Sequence, residues 1–182
     1  MLLILLGLLA LGTIGITVVK PLVNDAIIEI TLPLRHDDII RQQSREKNLD
    51  PALVAAVIYR ESKFRDQTSD AGAKGLMQIL PETAEFIAKR TGGTQFELRD
   101  LANPQVNISY GCWYLRYLLD RYEGNEVAAV AAYNAGHQHV DDWGGKDLTV
   151  DDIQFPETKQ YAQDVFDKRH DYAKHYRSEL GL

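Results

Sequence analysis

A mainly α-helical fold is predicted by three observations. Helix-opening signals recur, with a capping side chain ahead of proline at Asp50-Pro51 and Asn103-Pro104 and ahead of an alanine-rich run at Asn125. Between them apolar residues return every three or four positions, the period of a helix face. Runs with the two-residue alternation of a half-buried strand are sparse.

Taken in order, residues 2–19 are uncharged and mostly aliphatic, long enough for a membrane span. No small-residue cleavage pattern follows. A retained single-pass anchor over 1–20 is therefore favoured over a removed signal peptide, which would leave the protein secreted. From Pro21 to Arg35 the chain is mixed, and Leu32-Pro33-Leu34 reads as extended backbone in a linker over 21–35. Residues 36–182 form the folded domain. There Asp50-Pro51 opens a helix through Val54, Val57, Ile58 and Glu61. Leu80-Pro81-Glu82 opens the next, acidic early, basic late and stopped by Gly92. Asn103-Pro104 opens a long helix whose Val106, Tyr110, Trp113, Tyr114 and Tyr117 share a face until Gly124. Asn125 caps a helix that stops at Gly136, and after Pro156 a last helix places Tyr161, Val165, Tyr172 and Tyr176 on one side.

The chain has 182 residues and a formal charge of −6, enough length for one domain with a sizeable core. Lys20, Asp25, Glu29 and Arg35 cancel, so the acidity belongs to the remainder, which argues against nucleic acid as a partner. The single cysteine, Cys112, excludes an intrachain disulfide, and its aromatic helical surroundings suit a buried, inert thiol. The histidine pairs His137/His139 and His170/His175 lack the ligand spacing of a metal site, so no metal or cofactor is expected.

Glu61 stands apart chemically. Val54, Val57, Ile58 and Glu61 fall at i, i+3, i+4 and i+7, which aligns a carboxylate with the stripe its helix buries. Desolvation there favours the protonated form, and so does the negative pole at the helix C-terminus. A carboxyl group whose pKa is raised in this way suits general-acid chemistry near neutral pH. A loop-bridging glutamate is the bland alternative from the helix alone.

Four segments in order carry a resemblance: Glu61-Ser62, Gly75-Leu76-Met77-Gln78-Ile79, Ala132-Tyr133-Asn134-Ala135-Gly136, and Pro156-Glu157-Thr158-Lys159-Gln160-Tyr161. Together they resemble the signature of the soluble-lytic-transglycosylase family, whose enzymes cut bacterial cell-wall glycan. The resemblance runs from about Asp50 to Val165 and implies a lysozyme-like helical domain. By it, Glu61 is the sole catalytic acid, and Ser69, Met77, Gln78, Tyr133, Asn134 and Glu157 contact or support the sugar, with the Tyr133 hydroxyl bonded near the acid. Peptidoglycan is the implied partner and the cell membrane, with the catalytic domain extracytoplasmic, the implied location. The chain departs from the pattern in a shorter loop between Glu61 and Gly75, which touches the match at Ser69, and in Gly136-His137-Gln138-His139, where the family has proline then glycine. A goose-type-lysozyme-like hydrolase and a non-catalytic, membrane-anchored glycan-binding domain stand as alternatives.

Overall fold

The computed structural model describes residues 20–93 and 95–182, and the chain divides into two compact units, Met1–Leu34 and Arg35–Leu182. In the first, helix α1 spans Lys20–Thr31, so most of the segment expected to be a linker is helical. Pro21 is harmless there because a first-turn proline costs no helical hydrogen bond. The backbone leaves the helix only at Leu32, just ahead of Pro33. The anchor expected over residues 2–19 lies outside the described residues, and among the described ones no helix is long and apolar enough to cross a membrane.

The second unit is built from α2 (Asp37–Lys47), α3 (Pro51–Ser62), α4 (Pro81–Thr91), α5 (Pro104–Arg121), α6 (Glu126–Ala135), α7 (His137–Trp143), α8 (Pro156–His175) and α9 (Arg177–Leu180). Short 3-10 turns lie at Leu98–Ala102, Gly145–Asp147 and Val150–Asp152. Extended pairing among the described residues is limited to the isolated bridges Thr68–Lys74 and Lys74–Ile79, which pinch the loop after α3. The caps read from the sequence are made. Asp50 accepts from the Ala52 amide at 2.8 Å, Asn103 from Gln105 at 2.8 Å and Asn125 from Ala128 at 3.1 Å. Helix α2, with Asp37 and Asp38 in its first turn and Arg45 and Lys47 in its last, buries Ile40 and is not among the helices expected from the sequence.

Helix α3 is the central element. Every residue from Ala52 to Ile58 is buried, more than the single stripe its periodicity suggests, as expected of a helix apolar on all sides. It packs mainly against α8, while α6 packs on α5, α7 and α8. The buried alanines Ala128, Ala129, Ala131 and Ala132 let these neighbours approach α6 closely. One cation ties three of these helices together: Arg169 of α8 reaches Asp50, the cap of α3, at 2.5 Å and Glu126, in the first turn of α6, at 2.6 Å. Cys112 is fully buried in α5, and burial pushes its thiol up to about 12, which leaves it inert.

Candidate active site

Glu61 is the second-last residue of α3 and is half-buried. Loss of hydration pushes its carboxyl up to about 7, against the hydrogen bond from Tyr161 and the charge of Arg60, which both pull it down. The Tyr161 hydroxyl of α8 donates to Glu61 Oε1 at 2.6 Å. Tyr161 is itself buried, and burial together with the Glu61 charge holds its phenol well above the usual range, so it stays a donor. The Arg60 guanidinium lies 5.3 Å from the Tyr161 ring centre and pairs with Asp164 at 3.0 Å.

Tyr133, whose hydroxyl the resemblance sets near the acid, bonds to the backbone and not to the carboxyl itself. Its hydroxyl donates to the Met77 carbonyl at 3.0 Å, while its phenol feels the charge of Glu61 and is raised well above the ordinary value by burial first and that charge second. Tyr161 is the tyrosine that meets the carboxyl. The geometry explains why. Tyr133 rises from the last turn of α6 opposite the loop that carries Met77, whereas α8 packs along α3 and brings Tyr161 to its end.

Met77 is fully buried, so its side chain belongs to the core and not to an open surface. A Cβ on Gly111 would sit 2.2 Å from its sulfur, which accounts for the glycine inside α5. The Met77 amide donates to Asn107 Oδ1 at 2.8 Å, and Asn107 Nδ2 donates to the carbonyls of Lys74 at 3.0 Å and Leu101 at 2.9 Å. One buried amide side chain thus ties the entry and the middle of the Gly75–Ile79 loop to the turn at Leu101. Gly75, at φ 75°, has no room for a side chain, since a Cβ would fall 2.2 Å from Asn107 Nδ2.

The remaining candidates fall at separate places. Gln78 adopts φ 47° and its amide donates to the carbonyls of Gln67 at 3.0 Å and Gly75 at 2.8 Å, leaving the side-chain oxygen as the acceptor on offer. Ser69 closes its own turn, its Oγ accepting from the Ala73 amide at 3.1 Å. Asn134 is exposed, and its Oδ1 accepts from buried Thr158 at 2.8 Å, which links the end of α6 to the first turn of α8, where Glu157 stands exposed. Among the described residues no group of histidine, cysteine and carboxylate side chains is gathered as for a metal ion.

Two residues of this arrangement have a role that the sequence reading does not assign. Tyr161 ends the fourth family-like segment and falls on a buried face, and the signal for its contact to the acid is that a buried tyrosine needs a partner for its hydroxyl. Asn107 sits beside buried Ile108 and Gly111, and a buried amide likewise demands partners.

Residues 38–155 match the transglycosylase SLT domain. The soluble lytic murein transglycosylase of Salmonella typhimurium is 32% identical over 168 residues, which covers 85% of this chain and 25% of that protein. Membrane-bound lytic murein transglycosylase C of Glaesserella parasuis is 35% identical over 112 residues, 56% of this chain and 31% of that protein. Among solved structures, an inactive glutamate-to-glutamine mutant of the lytic transglycosylase Slt from Pseudomonas aeruginosa superposes with a TM-score of 0.75 at 32% identity, covering 81% of this chain and 25% of that one. The chain spans about a quarter of the length of the soluble relatives it matches. Its mainly helical unit has the lysozyme-like SLT fold, and the chain belongs to the transglycosylase SLT-domain family.

Proposed function

We propose that this protein is a peptidoglycan lytic transglycosylase that cleaves the β-1,4 bond between N-acetylmuramic acid and N-acetylglucosamine, with Glu61 as the sole general acid and then base. The observation that carries this is a carboxyl group held near 7 by burial, with the Tyr161 hydroxyl on one oxygen. At neutral pH such a group is present in both forms, as an acid that must become a base requires. Glycosidases that use two carboxylates set a second one across the bond. Here the side chains that act on the Glu61 carboxyl are Tyr161 and Arg60.

In the mechanism, protonated Glu61 gives its proton to the glycosidic oxygen as the bond to the muramic anomeric carbon breaks. The substrate's own 2-acetamido oxygen stabilises the positive carbon. Glu61, now ionised, removes the proton of the muramic C6 hydroxyl, whose oxygen closes a 1,6-anhydro ring. An attacker already tethered to the reacting carbon has an entropic advantage over water. Tyr161 orients the carboxyl and stabilises its ionised state by donating to it. In this proposal Gln78, Asn134, Ser69 and Glu157 meet the sugar chain, while Met77 and Tyr133 hold the wall that carries Gln78. The relative whose inactive form carries a glutamine in place of a glutamate supports a single decisive acid.

The same proposal places the unit Arg35–Leu182 outside the cytoplasmic membrane as the catalytic domain, tethered through residues 2–19. Support comes from the uncharged run itself and from a membrane-bound relative. Mass analysis of products from purified peptidoglycan tests the reaction. Anhydro ends, one water lighter than hydrolytic ends, are expected; reducing ends would give the hydrolase alternative, and intact glycan the non-catalytic one.

A further inference from the structure

Arg60 directly precedes Glu61 in α3, and adjacent positions of a helix point about 100° apart, so the two side chains do not face one another. Arg60 turns instead to α8. There Tyr161 and Asp164, three positions apart, share one face of the helix, and the guanidinium meets both. Its Nε pairs with Asp164 Oδ2 at 3.0 Å, while its central carbon lies 5.3 Å from the Tyr161 ring centre. Asp164 is itself held, since its other oxygen accepts from Gln160 Nε2 at 2.8 Å. The Tyr161 hydroxyl in turn donates to Glu61 Oε1 at 2.6 Å. A line of contacts thus runs from Gln160 and Asp164 through Arg60 and Tyr161 to the acid. An ion pair as open to water as this one, with Arg60 39% and Asp164 38% exposed, contributes little to stability by itself. Its position on the ring that holds the acid gives it another use.

We propose that Arg60, held by Asp164, is a positioning residue for Glu61: it clasps the ring of Tyr161 so that the hydroxyl stays on the carboxyl, and its positive charge supports the carboxylate during the step in which Glu61 is a base. The inference rests on the proposed function for the existence of that step. The reaction asks one carboxyl group to give a proton and then to take one, and burial favours only the first half, because desolvation penalises the charge. The second half needs a counterweight. Around the carboxyl stand the Tyr161 hydroxyl of α8, the Tyr133 phenol of α6 and, on its own helix, Arg60; Gln67, from the loop after α3, reaches the Glu61 carbonyl at 3.5 Å and carries no charge. Burial keeps both phenols neutral, so Arg60 is the cation of this group. A cation over a ring face also draws on the ring's electrons, which makes the hydroxyl a better donor. Arginine suits the place, since its flat fork stacks on a ring and binds a carboxylate at the same time.

The test is titration of the Glu61 carboxyl by carbon NMR of the full chain labelled at glutamate, its signal identified by its loss in Glu61→Gln, together with the pH–rate profile of peptidoglycan cleavage. Both are measured for the parent, Arg60→Gln and Arg60→Lys, each with and without Tyr161→Phe. Arg60→Gln should raise the midpoint by about half a pH unit, the size expected of a partly screened charge. The alkaline limb of kcat/KM should follow it upward, and kcat should fall about threefold. Arg60→Lys keeps the charge and should stay near the parent in both measurements, which separates the electrostatic role from damage to the fold. In the Tyr161→Phe background the shift caused by Arg60→Gln should shrink to about half or less, because the relay is gone. A midpoint that ignores Arg60→Gln, a lysine variant that moves as far as the glutamine variant, or full additivity with Tyr161→Phe overturns the proposal. The reaction is judged separately on the parent chain. If the parent cleaves while the midpoint ignores Arg60, the role of Arg60 alone fails; if it does not cleave while the midpoint follows Arg60, the reaction alone fails.

Discussion

The Tyr161 hydroxyl donates to Glu61 Oε1 across 2.6 Å, between residues a hundred positions apart in the chain. It favours the ionised carboxyl and so opposes the burial that raises the pKa. Tyr161→Phe removes that opposition, and the Glu61 pKa is expected to move above about 7. The alkaline fall of kcat/KM, which follows loss of the protonated acid, should shift to higher pH. Because the returning base is also less well stabilised, kcat should drop about tenfold or more. A pH–rate profile of the variant against the parent checks both, and an unshifted profile would return Tyr161 to packing alone.

Glu61→Gln should abolish cleavage while glycan affinity stays within a few fold, since the amide keeps the shape and has no acidic proton to give. Its effect on stability has a definite sign. The folded carboxyl titrates near 7 and its ordinary value is 4.5, so the folded state binds more protons between these values and stability falls as pH rises through that window. Below pH 4 the penalty is absent. The variant should thus gain about 1–2 kcal/mol relative to the parent at pH 8 and little at pH 4, after discount for partial exposure. Denaturant midpoints at the two pH values measure this.

Tyr133→Phe strips the donor from the Met77 carbonyl and leaves a backbone acceptor to be satisfied otherwise. A loss of about 1–2 kcal/mol in stability is expected. Turnover should fall more than affinity, because the wall bearing Gln78 loosens while the sugar-facing groups remain. Thermal unfolding combined with a kcat and KM split distinguishes this from direct sugar contact, which would raise KM first.

Asn107→Ala removes three hydrogen bonds to the Met77 amide and to the Lys74 and Leu101 carbonyls, in a place water cannot easily refill. A loss of about 2–4 kcal/mol is expected. Proteolysis in the native state should then cut within residues 64–79 before any other segment; if cutting begins elsewhere, Asn107 does not govern this loop.

Much of this organisation was legible in the sequence where the cause is local. Asp50, Asn103 and Asn125 announced their helices because capping needs a partner only two or three residues away. The raised Glu61 carboxyl followed from its register on α3, which turns it toward the buried side. Partnership across the chain was less visible. Tyr133 and Tyr161 are both tyrosines near the ends of apolar patterns, and nothing local tells which hydroxyl meets the carboxyl. Met77 read as a sugar contact by resemblance, yet its burial depends on Gly111, thirty-four positions away. Helix α1 was missed because a mixed composition and Pro21 hid a segment with no breaker before Pro33.

The Arg169 clamp gives the site a ruler. The clamp grips α3 and α6 at their starts and is itself carried by α8, and from it each helix runs about two to three turns to deliver Glu61, Tyr133 or Tyr161. With one end pinned, a residue inserted between Asp50 and Glu61 would swing the carboxyl by about 100° and advance it by about 1.5 Å, and the same holds along the other two helices. Substitution within those spans changes packing by degrees, but a change in their length misaims the chemistry outright. Spacing is thus the hereditary constraint on this centre, stricter for the intervals from Asp50 to Glu61, Glu126 to Tyr133 and Tyr161 to Arg169 than for most side chains within them.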